Sequence, residues 1–346
     1  MATLNDIFDL VKTLSENDRE KLKDMISNTI TQQNDLIHYV TEKRFSSGAF
    51  CPHCKSNHIK RNGHKNNVQR YLCLDCKKTF NITTNTIVSS TKKDFTVWNQ
   101  YIYCMMEGYS IRKAAEKCGI NKSTAFEWRH KILDVLQNMA ESVKLDGISE
   151  GDETFFPISY KGNHKNSKFV MPRESHHRGK QTHIRGLSHE KVCVPCAINR
   201  NGLSIAKISN LGRVSTQNLH NVFDNRIEEH SILCTDDMNS YVKFAKSNNI
   251  ELIQLKFGKS KKVIYHLQHI NTYHSMLKMF IQKFKGVSTK YLNNYLIWNN
   301  ILNYSKETWT EKKNIFMSYV LTTDKKILSK EIKKQTCSTN NSIGEK

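Results

Sequence analysis

Apolar residues at positions 4, 7, 8, 11 and 14 recur with a helical period. Ser15, followed three residues later by Asp18, has the spacing of a capping box and opens a second helix with Leu22, Met25, Ile26 and Ile30 on one face. A helical segment over 1–46 is therefore expected, as a hairpin, a dimerisation element or a support packed on its own chain. Farther on, Asp94 can cap a helix over 95–106 with Trp98, Ile102 and Met105 on one side. A short helix over 110–117 carries Ala114 and Ala115, Cys118-Gly119-Ile120 turns the chain, and Asn121 caps a third helix to about residue 136. A short helix, a Gly-containing turn and a second capped helix make a helix-turn-helix, expected over 91–145. Ala125, Trp128 and Ile132 would face inward, leaving Lys122, Ser123, Arg129 and His130 on the open side for DNA contacts. The same pattern also fits an ordinary three-helix bundle.

From residue 148 the period changes to that of strands. Strands are expected over 148–159, 192–199 and 203–210, then a helix over 215–227, a strand over 231–235, a helix over 239–247 and a strand over 252–256. Helices follow from about 271 and 288. Three strands and then alternating helix and strand is the order of an RNase H-like sheet. The fold expected is multidomain: N-terminal helices, a small cysteine-bearing module over 47–90, a helix-turn-helix, an α/β RNase H-like core with a mixed sheet over 146–310, and a C-terminal helix and polar tail over 311–346. Asp152 falls on the first core strand and Asp236 at the end of the fourth, where open α/β sheets place their ligands. A later polar helix begins near Asn271.

Charge narrows the partner. Lys and Arg number 53 against 32 Asp and Glu, a formal charge of +21, which argues for a polyanion, with nucleic acid first. No run approaches the ~18 apolar residues of a membrane span, and the start of the chain lacks the pattern of a signal peptide; a cytoplasmic, nucleoid-associated protein is expected. Four of the ten cysteines form two Cys-x-x-Cys pairs, Cys51/Cys54 and Cys73/Cys76. In a reducing compartment that is the tetrahedral four-sulfur set of zinc. Short strands over 58–63 and 68–72 between the pairs read as a zinc ribbon, lined by Arg61, His64, Lys65, Arg70, Lys77 and Lys78. Such a module serves DNA or protein docking. Cys193 and Cys196 share the spacing but lie in an apolar strand and read as core. The segment 160–191 is dense in Lys, Arg and His, with only Glu174 and Glu190 acidic, suited to holding phosphates beside an acidic site.

CPHC…CLDC, GDETFF, HIRGLSHEKVCVPCAI, CTDDMNSY and QHINTYHSMLK…GVSTKYLNNYLIW occur here in that order. Over about 45–305 the chain resembles the insertion-sequence transposases of the ISXO-like group, which join a zinc ribbon to a short RNase H-like core. The resemblance implies DNA transposition, cut-and-paste or replicative, by a metal-dependent acidic triad. Asp152 and Asp236 would hold Mg²⁺ or Mn²⁺, and Lys278 a phosphate of the element end. Many relatives place Glu third, followed seven residues later by Lys; here no acid lies between Asn271 and Lys290. Asn271, with Lys278 at that spacing, is the favoured third ligand and His274 the alternative. Strand alternation points Glu153 away from Asp152, and Asp237 reads as a helix cap. The partners implied are terminal inverted repeats and target DNA, bound by a homo-oligomer, with no membrane. The competing reading is a zinc-ribbon and helix-turn-helix DNA-binding protein that no longer cleaves; a junction nuclease is a third.

Overall fold

The computed structural model describes residues 4–65, 68–89, 91–162, 191–256, 264–304 and 307–334. The chain forms two compact units, Met1–Glu107 with Met317–Lys326, and Gly108–Phe316 with Ile327–Lys346.

In the first unit, α1 (Leu4–Thr13) leads into α2 (Glu16–Arg44). Ser15 Oγ accepts the Asp18 amide at 3.2 Å, as the capping-box spacing predicts. An antiparallel sheet follows, β1 (Ile59–Lys65), β2 (Val68–Cys73) and β3 (Thr79–Asn81), in that order. The third strand has too short a sequence to announce itself. It is held by Phe80, which stacks on Tyr71 at 5.4 Å, with Phe45 edge-on to Tyr71 at 5.5 Å. Cys51, Cys73 and Phe80 are the buried centre of this module, a core far too small to fold a sheet by apolar burial alone. The Arg44 guanidinium donates to the Ile82 and Thr84 carbonyls, both at 2.7 Å, and fastens the end of α2 to the loop after β3. Helix α3 (Phe95–Met106) has the expected bounds.

The second unit opens with α4 (Ile111–Lys117) and α5 (Lys122–Glu141), N-capped by Ser110 and Asn121. Gly119 supplies the positive φ of 57° that their turn requires. Two members of the expected open side are buried, which corrects that part of the reading. The Arg129 guanidinium lies 4.7 Å from the Trp298 ring centroid and donates to the Tyr109 carbonyl at 2.6 Å. His130 packs at 4.2 Å from the Tyr291 ring, with Asn294 Nδ2 at 3.1 Å from its Nδ1, and burial pushes its pKa down to about 3. The reason is tertiary: a later helix, α9 (Thr289–Asn303), covers the face of α5 that a helical wheel leaves free. Lys122 and Ser123 remain exposed.

The core sheet comprises β4 (Ile148–Pro157), β5 (Lys191–Asn199), β6 (Ser204–Ala206), β7 (Ile232–Thr235) and β8 (Glu251–Gln254). Its order is β6-β5-β4-β7-β8; β5 and β6 extend it antiparallel, while β7 and β8 run parallel to β4, so the sheet is mixed. Helices α6 (Thr216–Phe223) and α7 (Asn239–Ser247) cover one face, burying Leu219, Phe223, Tyr241 and Phe244 against Cys193, Ala197 and Leu233. Helix α8 (Gln268–Gln282) packs on β4 and β5, and α9 (Thr289–Asn303) on β6 and α5. Helices α10 (Trp309–Thr322) and α11 (Ser329–Lys334) complete the described chain. Among the described residues no helix is long and apolar enough to cross a membrane.

The two faces of β4 meet different helices. A Cβ on Gly151 would sit 3.3 Å from Leu233 Cδ1 and 3.5 Å from Tyr241 Cε1, so Gly151 and Glu153 face α7. Glu150 and Asp152, by alternation, face α8.

Candidate functional site

Two clusters of chemistry-bearing side chains stand apart in kind. In the first unit, Cys51 Sγ lies 3.6 Å from Cys76 Sγ, and Cys54 Sγ 3.5 Å from Cys73 Sγ. A tetrahedral zinc with Zn–S of ~2.3 Å has sulfur–sulfur edges of about 3.8 Å, so the four sulfurs fit that ion. Each pair is a knuckle of the same shape. The Lys55 amide returns to the Cys51 carbonyl at 2.8 Å and the Lys77 amide to Cys73 at 3.1 Å. Both lysines take positive φ, 63° and 59°. The turn aims amides at sulfur: His53 N is 3.4 Å from Cys51 Sγ and Cys76 N is 3.5 Å from Cys73 Sγ. The Cys76 amide brings the Cys73 thiol down to about 6, toward the thiolate a metal needs.

In the second unit, β4, the end of β7 and α8 bring polar groups together. Asp152 Oδ1 accepts its neighbour Glu153's amide at 2.8 Å, and its Oδ2 lies 3.7 Å from His274 Nδ1. Asp236 follows β7 directly. Its backbone carbonyl is held by the Thr235 hydroxyl at 2.9 Å and by Gln254 Nε2 at 3.3 Å. Burial, reinforced by the charge of Asp236, raises Asp152 to about 6, while Lys278 opposes the shift. Asp236 is raised too, chiefly by burial. Burial and Lys278 lower His274 to about 4, so the imidazole is neutral at pH 7 with a lone pair to offer. Asp236 Oδ1 and His274 Nε2 are buried without a hydrogen-bond partner. Buried polar atoms rarely stay unpaired, and both residues act on Asp152, Asp236 through its charge and His274 through its 3.7 Å approach.

Asn271, favoured on its spacing to Lys278, is exposed, as is Lys278. The stripe of α8 that turns inward is Ile270, Tyr273, His274, Leu277, Phe280 and Ile281; Asn271 flanks it. Asp237 is not the helix cap expected: α7 is capped at Met238 with no side-chain bond, and exposed Asp237 lies 3.5 Å from Lys256 Nζ. Glu153 does point away from Asp152's partners. The Tyr241 hydroxyl donates to its Oε1 at 2.6 Å, and burial first, then the two aspartates, raises it to about 7. Cys193 and Cys196 are buried, as core thiols should be. Residues 163–190 of the basic segment lie outside the described residues.

The sequence reading overlooked Glu150. It is 1 % exposed, its Oε2 accepts the Ile270 amide at 3.0 Å, and Arg200, His266 and His269 gather on its Oε1. The available signal was its spacing: two residues before Asp152 on a strand is the same face.

Residues 144–297 match the ISXO2-like transposase domain. The matched stretch runs from just before β4 into α9 and contains both aspartates and α8. The chain is also 22 % identical over 272 residues, 78 % of its length and 90 % of the relative's, to an uncharacterized protein in transposable element ISH50 of Halobacterium salinarum. Among solved structures, it is similar to a chain of the simian T-cell lymphotropic virus intasome in complex with PP2A regulatory subunit B56 gamma, at 10 % identity and a TM-score of 0.29, covering 60 % of this chain and 70 % of that one. A pre-cleavage Mos1 transpososome matches at 11 % identity and a TM-score of 0.21, covering 66 % and 79 %.

Proposed function

We propose that this chain is a DNA transposase of an insertion sequence, cleaving and joining strands at terminal inverted repeats through Asp152, Asp236 and His274. The observation that carries the reading is the convergence on one site of two burial-raised carboxylates and a neutral imidazole, with Asp236 Oδ1 and His274 Nε2 left unpaired. The sheet order and its parallel β4–β7 pair support an RNase H-like core. The donors fit a divalent cation: carboxylate oxygens suit Mg²⁺, and an imidazole nitrogen tilts the set toward Mn²⁺. When bound, such an ion supplies activation of the attacking oxygen and stabilisation of the leaving one.

The protein's own groups set the stage for this. Burial keeps water from screening the two carboxylates and strengthens their demand for a cation. His274 stays neutral where a charged imidazolium could not ligate. Lys278 is exposed yet close enough to act on Asp152, and can hold a DNA phosphate beside the acids. Asn271, exposed on the same helix, would contact DNA. The cysteine module would carry zinc, and Lys122 and Ser123 at the start of α5 would meet the repeat DNA. A DNA-binding protein that had ceased to cleave would leave the paired acids without a role.

The test is incubation with the repeats flanking its own gene, in Mg²⁺ or Mn²⁺, scoring cleavage and joining. Both are expected, and both should vanish in Asp152→Asn while repeat binding persists. Cleavage surviving in that variant removes the site; cleavage without joining would make the protein a junction nuclease.

A further inference from the structure

Strand β4 and helix α8 meet in step. From Glu150 to Asp152 the strand advances about 6.6 Å. From Ile270 to His274 the helix advances about 6 Å. The two carboxylates therefore meet successive turns of one helix: Glu150 Oε2 takes the Ile270 amide at 3.0 Å, and Asp152 Oδ2 faces His274 Nδ1 at 3.7 Å.

A carboxylate that is 1 % exposed is costly to bury unless it is paired and hydrogen-bonded. Glu150 is both. His269 Nδ1 lies 2.8 Å from its Oε1 and His266 Nδ1 3.2 Å. The Arg200 guanidinium contacts the same oxygen and His269 Nδ1, and donates to the Ile264 carbonyl at 3.1 Å. Arg200 is itself seated on the sheet, its amide bonded to the Ile148 carbonyl at 3.1 Å. The chain entering α8 is thus tied from Ile264 to Ile270 around one side chain of β4.

We propose that Glu150 is a positioning residue: its buried carboxylate, clasped by Arg200, His269 and the Ile270 amide, sets the register of α8 on β4 and so seats His274 against Asp152. The proposal rests on the reading of Asp152, Asp236 and His274 as the metal-dependent centre. Glu150, His266 and His269 also bring their ligand atoms within 4.8 Å of one another, as a metal site would. Arg200 decides between the two. Its permanent charge already lies against Glu150 and His269, and a divalent cation would have to expel it.

The experiment compares the full-length protein with Glu150→Ala, His269→Ala, Asp152→Asn and the neutral pair Glu150→Gln/Arg200→Gln. Three quantities are read: hydrogen exchange of the α8 peptide, Mn²⁺ affinity, and affinity for repeat DNA. Glu150→Ala should speed exchange at the start of α8 roughly tenfold and weaken Mn²⁺ by about tenfold or more, with DNA affinity lowered by no more than the α8 contacts of Lys278 and Asn271 supply. His269→Ala should do the same to a smaller degree, and serves if Glu150→Ala does not fold. The neutral pair, which keeps an acceptor for the Ile270 amide, should restore most of both. Unchanged α8 exchange and Mn²⁺ affinity in a folded variant overturn the proposal. So does a second bound metal that His269→Ala removes and Asp152→Asn leaves. If instead Asp152→Asn fails to weaken Mn²⁺ in an otherwise unaltered chain, the metal centre is misassigned; α8 exchange in Glu150→Ala still judges the clasp.

Discussion

The cysteine group of the first unit and the Asp152 centre of the second both suit a cation, and they are made in opposite ways. In the first, four like ligands come from two short turns, and the sulfurs stand within hydrogen-bonding reach of one another and of backbone amides. Nothing is left for a substrate, as in structural zinc sites. In the second, unlike ligands come from β4, the end of β7 and α8, and two buried atoms are left without partners. That is the condition of a site with open positions. The contrast extends to folding: the small sheet has a handful of buried side chains, whereas the core unit buries its residues between a mixed sheet and helices on both faces.

The contrast breaks first, if at all, on metal removal. Zinc should bind at one per chain, and stripping it or making Cys73→Ser should remove about 10 kcal/mol or more of binding energy from the module. The expected result is rapid proteolysis within 47–90 while 144–297 stays protected. An apo module that resists proteolysis equally would show that its packing suffices. The counterpart in the second unit is a packing variant. Arg129→Ala should destabilise the core unit by about 3 kcal/mol in denaturant unfolding, through loss of the Trp298 stack and the bond to the Tyr109 carbonyl. A variant of wild-type stability with weakened DNA binding would return Arg129 to the DNA-contacting surface.

Within the acidic site, His274→Ala should lower Mn²⁺ affinity and cleavage roughly 10- to 100-fold, and Asn271→Ala should lower cleavage far less. The reverse ranking would restore Asn271 as the ligand. The smallest effect is a pH-dependent one. Asp152 moves from an ordinary 3.8 to about 6 on folding, so the folded state holds its proton more tightly than the unfolded chain. Stability therefore falls as pH rises from about 4 to 6, and the penalty is complete above that range. In metal-free protein Asp152→Asn should raise stability by about 1–3 kcal/mol at pH 7.5 and by little at pH 4. Mn²⁺ should reverse the order by stabilising the wild type alone. A variant no more stable than wild type at pH 7.5 would mean that the carboxylate is not strained by burial.

Much of this was legible from local pattern. The ends of α3, the caps at Ser15 and Asn121, and the order of core elements from β4 to α9 follow the periods and capping residues, although the strand expected over 203–210 is only Ser204–Ala206 and the helix expected over 215–227 ends at Phe223. Asp236 stood out because strand ends are where such sheets expose side chains, and Asp152 because it is an acid on a second core strand. Strand alternation separated Glu153 from Asp152, but the same alternation was not carried back to Glu150.

What the sequence determined by itself is what depends on neighbours in the chain: the four-cysteine set, whose ligands lie three apart on two turns, the helix caps, and the periods of strand and helix. What only the tertiary structure decided is what depends on which element lies over which face. Helix α9 over α5 buries Arg129 and His130. The aromatic contact of Phe80 with Tyr71 holds a three-residue strand. The tie of α8 to Glu150 turns His274 and not Asn271 toward Asp152. A helical wheel gives the angle between two side chains on one helix. The direction in which the wheel is set comes from the burial and hydrogen bonding of groups more than a hundred residues away.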